Sequence, residues 1–267
     1  MTSPSSAAPL LRFEQVRLSF AEGEVLRGLS LAVNERETKV LLGETGSGKT
    51  LLMKLAAGLL KPDSGRVFVL GEEVSAMSER DLLDFRRRIG FVFQEGALFD
   101  SMTVRANVAF RLMEEGAEEA EMEARVREAL RFVEMEQAID QLPGELSGGQ
   151  RRRVSIARAV VATPPVMLYD SPTAGLDPVT AQTIITLILR QRDSQSVTSL
   201  LATHRIQDAF ALANFRFDAA AGRVIASRNG ANPPTTLVVL REGAVHFEGD
   251  QRAFVASNDS YLKRFLV

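Results

Sequence analysis

The sequence predicts an α/β fold: a parallel sheet alternating with helices, preceded by an antiparallel β subdomain and interrupted by an inserted helical subdomain. Three observations point to it. Val40-Leu41-Leu42 runs into a glycine-rich turn and then into a stretch of helical spacing over 49–60, the strand, loop, helix unit of parallel-sheet proteins. Residues 100–161 hold no convincing strand. Near the start, alternating segments at 13–20 and 25–33 flank the Glu22-Gly23 turn, as an antiparallel ribbon requires.

Residues 1–9 are Ser, Ala, Pro and Thr after the methionine, too small and polar to bury surface, and read as a disordered lead. A main domain over 10–249 follows. After the ribbon and the glycine-rich unit, a strand is expected at 89–93, then helices at 103–113, 117–135 and 147–161 that make the helical insert. Strands return at 166–169 and 197–202, with a helix over 178–190 whose first turn carries Pro178. Residues 215–217 and 223–226 read as a small hairpin, and 250–267 as a C-terminal helical tail.

Composition removes several classes. With 267 residues, 45% hydrophobic and 25% charged, the chain is an ordinary globular protein rather than a disordered or fibrous one. The net charge is −2, and Lys and Arg are dispersed except at Arg86 to Arg88 and Arg151 to Arg153, which disfavours a dedicated nucleic-acid binder. No run approaches 18 apolar residues and the N-terminus lacks a basic segment followed by an apolar one, so the expectation is a cytoplasmic protein. Zero cysteines exclude disulfides, thiol catalysis and cysteine metal sites.

Gly43-Glu44-Thr45-Gly46-Ser47-Gly48-Lys49-Thr50 fits the phosphate-binding loop, and it sits between a buried strand and a helix start as that loop must. Chance gives the pattern in about 1 in 100 chains of this length. Backbone N–H groups turn inward around a β-phosphate, Lys49 bridges the β- and γ-phosphates, the Thr50 hydroxyl ligates Mg²⁺, and Leu51 continues the nucleotide-binding set. Val166 to Tyr169 followed by Asp170 reads as a buried strand ending in a carboxylate that holds Mg²⁺ through water, although such an aspartate is often only a helix cap or turn residue. Leu146-Ser147-Gly148-Gly149-Gln150 then opens another helix, with Ser147 at the N-cap and two glycines exposing N–H groups. This is a second phosphate-binding helix terminus.

On that pentapeptide the chain resembles the ABC ATPases, P-loop NTPases with a RecA-like core. Markers for the resemblance follow in order through 10–249: Gln94 after its strand, Gly175-Leu176-Asp177 at a turn, His204 after another strand. The resemblance implies ATP and Mg²⁺ as ligands and a head-to-tail pairing with a second ATPase subunit, the same chain or a different one. In such a pair the helix end of Ser147, Gly148, Gly149 and Gln150 closes over the nucleotide held by the other copy's loop. It also implies that Gln94 contacts Mg²⁺ and the attacking water, that His204 contacts the γ-phosphate, that Asp177 faces the dimer, and that Phe20 stacks on adenine. A strand aromatic such as Phe20 can equally be a core residue.

Two departures stand out. Where the family has a glutamate that polarises the water, this chain has Ser171. A neutral hydroxyl is a far weaker base, and positioned acid–base catalysis is worth about 10²- to 10⁴-fold, so slow hydrolysis is expected. Another carboxylate, or a complete second site in an asymmetric partner, are the competing readings. The second departure is roughly twenty extra residues, about 214–235, read as a surface elaboration. Arg36, where a glycine is usual, is a smaller oddity.

The apolar stretch 95–104 should face a transmembrane permease whose short helix it receives, with Leu98, Phe99 and Met102 lining the socket; packing inside the helical subdomain is the alternative. That stretch, with 107–110, 142–145 and 260–266, resembles the Mla/Mce-type ATPases of bacterial lipid transport. The resemblance implies a subunit peripheral on the inner face of the cell membrane, with lipid as cargo and no cargo contact of its own. Two other functions compete: a switch that assembles a complex with little turnover, which Ser171 encourages, and a soluble ABC protein without a transporter, which the lack of coiled coils or a second ATPase domain discourages.

Overall fold

The computed structural model describes residues 8–227 and 234–266. The chain opens with β1 (Leu11–Phe20) and β2 (Gly23–Val33), an antiparallel pair, then enters β3 (Thr38–Leu42), every residue of which is buried. Helix α1 (Lys49–Ala56) is followed by β4 (Ser64–Val69) and the short β5 (Glu72–Glu73). Next come α2 (Glu79–Arg86), β6 (Ile89–Val92) and the helical subdomain of α3 (Val104–Glu114), α4 (Glu119–Phe132) and α5 (Gly148–Val160). The chain returns through β7 (Val166–Asp170), α6 (Pro178–Gln195), β8 (Thr198–Ala202) and α7 (Ile206–Asn214). It ends with a hairpin of β9 (Phe215–Asp218) and β10 (Arg223–Ala226), then β11 (Thr235–Arg241), β12 (Ala244–Gly249), α8 (Gln251–Ala256) and α9 (Ser260–Lys263).

The central sheet has six strands in the order β12-β11-β3-β8-β7-β6, parallel throughout except for the antiparallel edge strand β12. Its two faces carry two cores. Val40, Leu42, Met167, Tyr169 and Leu201 pack on one side with the helical subdomain and α6, while Leu41, Val166, Leu168 and Leu200 pack on the other with α1 and the antiparallel sheet. Coverage on both faces is why these strands read as unbroken apolar runs rather than as alternating ones.

Several sequence expectations need correction. The ribbon of β1 and β2 is half of a four-stranded sheet, β2-β1-β4-β5. The helix expected over 49–60 stops at Ala56, because Gly58 turns into the left-handed region (φ 63°) and lets the Leu59 N–H reach back to the Lys54 carbonyl at 2.8 Å. Residues 250–266 hold two short helices, α8 and α9, with non-helical residues between them, and they are not a separate tail, since Phe254 and Leu262 are buried in the main core. Arg36 has φ 61°, the conformation that favours the usual glycine there. Its N–H is compensated by the Thr198 hydroxyl at 2.7 Å.

The hairpin at 215–226 is present and is fastened to α6. The Phe217 N–H donates to Asp193 at 2.6 Å, and the Arg190 guanidinium lies 5.6 Å from the centre of the Phe217 ring. Most of the lead (1–7) and residues 228–233 of the insertion lie outside the described residues. No helix among the described residues is long and apolar enough to cross a membrane.

Candidate nucleotide site

Neighbouring parallel strands β3, β8, β7 and β6 end at one edge of the sheet, where ligands of open α/β sheets bind. The loop after β3 is shaped by close backbone approach: a Cβ on Gly43 would stand 2.6 Å from the Ser47 hydroxyl and 2.7 Å from the Leu240 carbonyl, so only glycine fits. Gly48 caps α1 with no side-chain acceptor, and the first turn holds no acidic residue. The unpaired N–H groups of that helix end are therefore open to an anion. Lys49 Nζ donates to the carbonyls of Gly43 and Glu44, each at 2.8 Å, and to the Ser47 hydroxyl at 3.2 Å. Burial pulls its pKa below the ordinary lysine value while Asp170 opposes the shift. An ammonium held by neutral carbonyls is poised to exchange them for phosphate oxygens.

Thr50 Oγ1 donates to Asp170 Oδ1 at 3.0 Å, and the Ser171 hydroxyl lies 3.4 Å from the same oxygen. Burial lifts the Asp170 carboxyl above its ordinary pKa, against these two hydrogen bonds. A hydroxyl and a carboxylate in contact, with the Gln94 amide in the adjoining cleft, form an all-oxygen donor set of the kind that suits Mg²⁺. The chemistry of the site thus fits the metal. An acid whose folded pKa is raised keeps its full stability below the ordinary carboxylate pKa and loses part of it as pH rises from there through the folded value. Asp170→Asn is accordingly expected to melt at a higher temperature than wild type without nucleotide and to lose the stabilisation that magnesium with ATP provides, as read from paired thermal melts.

Phe20, Gln94, Ser171 and His204 line one cleft of about 530 Å³ together with Thr45 to Leu51. The core reading of Phe20 is excluded, because 49% of it is exposed. Among the described residues no Asp or Glu lines this cleft; the carboxylate beside Ser171 is that of Asp170, which is engaged by Thr50. Ser171 itself has φ 48° and donates its N–H to the Ala202 carbonyl at 2.9 Å. Sequence reasoning missed Asp208, whose buried carboxylate takes hydrogen bonds from Thr173 (2.5 Å) and Thr203 (2.8 Å). It ties the segment after Ser171 to the one bearing His204. Glu44 does not join the cleft; its side chain turns to Arg264 at 2.9 Å.

The helix end capped by Ser147 stands elsewhere. Ser147 Oγ accepts from the Gln150 N–H at 3.2 Å, and Gln150 Oε1 accepts from the Ser147 N–H at 2.8 Å. This box caps α5 and leaves the Ser147 O–H free to donate. Ser147 and Gly148 are exposed, and Gly149 sits against Thr180 of α6. Asp177, also exposed, caps α6 by accepting from the Val179 and Thr180 N–H groups, both at 3.0 Å. None of these residues lines the cleft. The expected site residues thus fall into two groups, one lining the cleft and one outside it.

A groove of about 310 Å³ lies behind Gln94, lined by Phe91, Phe93, Phe99, Phe110 and by Arg86, Arg111 and Arg158. Of the three residues expected to form a socket, only Phe99 lines it. Leu98 packs on the core, and half-buried Met102 is not part of the lining. The loop is held by Asn107, fully buried, whose Oδ1 accepts from the Phe99 N–H at 2.8 Å and whose Nδ2 donates to the Met102 carbonyl at 2.9 Å.

Comparison with known proteins gives a concordant result. Residues 26–174 match the family model described as ABC transporter. Over 222 residues the chain is 37% identical to the methionine import ATP-binding protein MetN of Mesorhizobium japonicum, a match that covers 83% of this chain and 61% of that protein. Over 211 residues it is 37% identical to the sulfate/thiosulfate import ATP-binding protein CysA of Synechococcus elongatus, covering 79% of this chain and 60% of that protein. The matches thus span about three fifths of the length of these two curated relatives. Among solved structures, a dimeric ATP-binding cassette in a post-hydrolysis state bound to ADP and Pi superposes with a TM-score of 0.75 at 28% identity, covering 90% of this chain and 98% of that one.

Proposed function

Because the chain belongs to the ABC transporter family, we propose that it is the ATP-binding subunit of a transporter: it binds Mg-ATP, closes head to tail on a second ATPase subunit, hydrolyses slowly, and works a separate membrane permease. One observation carries this reading. The cleft assembles Phe20, Lys49, Thr50, Gln94, Ser171 and His204, while the exposed Ser147 helix end is not part of its lining, as expected of a site completed by a second ATPase subunit, the same chain or a different one. Bound nucleotide supplies the triphosphate, and the chain's own groups do the rest. Phe20 offers an aromatic face, Lys49 and the α1 N–H groups hold phosphates, and Thr50, Asp170 and Gln94 would hold Mg²⁺. His204 would face the γ-phosphate.

The reading of slow turnover is supported by Ser171 and by a lining that, among the described residues, includes no Asp or Glu. The groove supports permease docking, since four phenylalanines beside three arginines suit an apolar helix bearing an acidic group or a carbonyl end. Docking there would place the subunit on the inner face of the membrane. The relatives above are named for two unlike solutes, methionine and sulfate or thiosulfate, so cassette similarity does not fix the cargo. The lipid cargo implied by softer motifs finds no support among them.

Calorimetry with ATP tests the nucleotide assignment. One ATP per chain, bound more tightly with magnesium than with EDTA, is expected; magnesium-independent binding, or none, would refute it.

A further inference from the structure

Arg152 of α5 is only 6% exposed, an unfavourable place for a guanidinium unless hydrogen bonds and opposite charge compensate. Its Nη1 donates to the Phe93 carbonyl at 2.7 Å, and Asp170 and Glu95 favour its charge while burial opposes it. Phe93 immediately precedes Gln94. The same carbonyl closes a turn by accepting from the Gly96 N–H at 2.9 Å, and the Phe93 ring is stacked on Phe91 with centroids 4.1 Å apart. On the far side of Gln94, Arg158 of the same helix donates to the carbonyls of Gly96 and Ala97 at 3.0 and 2.9 Å. Gln94 and Glu95 are thus bracketed by two grips from the helix that Ser147 caps. Gln94 is exposed, so its backbone anchor rather than side-chain packing sets its direction.

We infer that Arg152 is a positioning residue of the nucleotide site: by holding the Phe93 carbonyl it fixes where Gln94 stands relative to Asp170 and Thr50, and it ties that position to the Ser147 helix end. The inference rests on the Mg-ATP reading and adds a part to it. When a second copy closes on Ser147, any displacement of α5 is carried to Gln94 through these hydrogen bonds, so the two half sites of one chain are mechanically joined.

The test uses a fluorescent ATP analogue and a magnesium titration, which need no turnover. Arg152→Met keeps the apolar stem and removes the donor. The magnesium concentration for half-maximal binding is expected to rise about tenfold, the scale of losing an outer-shell support of a metal ligand, while affinity for the analogue in EDTA is unchanged. In a Gln94→Ala background the same substitution is expected to add nothing, because its effect runs through Gln94. Arg152→Lys, which can still donate to the Phe93 carbonyl, should restore wild-type behaviour. Arg152→Gln, too short to reach that carbonyl, should behave like the methionine variant and replaces it should that one not fold. An equal rise in both backgrounds, or no rise in a folded variant, overturns the positioning role. Failure of the wild type to bind the analogue at all would instead overturn the nucleotide reading and this inference with it.

Discussion

Lys49→Ala is expected to weaken ATP binding by about a hundredfold or more without lowering the melting temperature of the ligand-free protein. The Lys49 ammonium is held by two carbonyls and a hydroxyl, and burial already works against its charge. Its removal therefore costs the empty fold little. Toward a triphosphate the balance reverses. Two charge-assisted hydrogen bonds at roughly 1.5 kcal/mol each amount to about 3 kcal/mol, or about two decades of affinity. Calorimetry and a thermal melt read the two halves of the prediction separately. Lost binding together with a collapsed melting temperature would mean that Lys49 is a structural residue.

Ser171→Glu is expected to raise the rate of phosphate release by about 10²-fold, the lower end of what a positioned base contributes. Ser171 lines the cleft beside Gln94 and His204, and it adjoins Asp170, whose carboxylate is engaged by Thr50. The backbone needs no change. Ser171 already occupies the left-handed region at φ 48°, and glutamate meets there a steric cost similar to that of serine. An unchanged rate with ATP affinity intact would show that another group activates the water and that turnover is not limited at this position.

What could be read from the residues alone was what lies close along the chain. Gly43 to Thr50 encodes its own geometry, since strand, turn and helix start are contiguous and each residue type answers a local demand. Asp170 was legible from the buried run before it, and Ser147 from its place ahead of Gln150, with which it forms a capping box. Strands β4 and β5 were not legible. They are short and half exposed, and Gly65 lies in the left-handed region where β4 pairs with the bulged stretch of β1. The Ser78 cap of α2, which accepts from the Asp81 N–H, was the signal available for that helix.

Side chains that act on distant backbone were hidden for a different reason. In sequence Arg152 and Arg158 look like a solvated basic face, yet both reach carbonyls some sixty positions away. Asn107 and Asp208 likewise look like surface polar residues, and their roles emerge only when the loops they hold are folded against them. Phe20 illustrates the converse. Alternation alone allowed a core or a ligand face, and exposure decided between them.

In the proposed arrangement one chain carries halves of two different nucleotide sites, and a second ATPase subunit, in the simplest case a second copy, completes each. Light scattering of the purified chain with saturating ATP and magnesium decides whether that pair forms. The molar mass is expected to double on adding Mg-ATP and to return to that of one chain in EDTA. A mass that stays that of a single chain while nucleotide is demonstrably bound would contradict it.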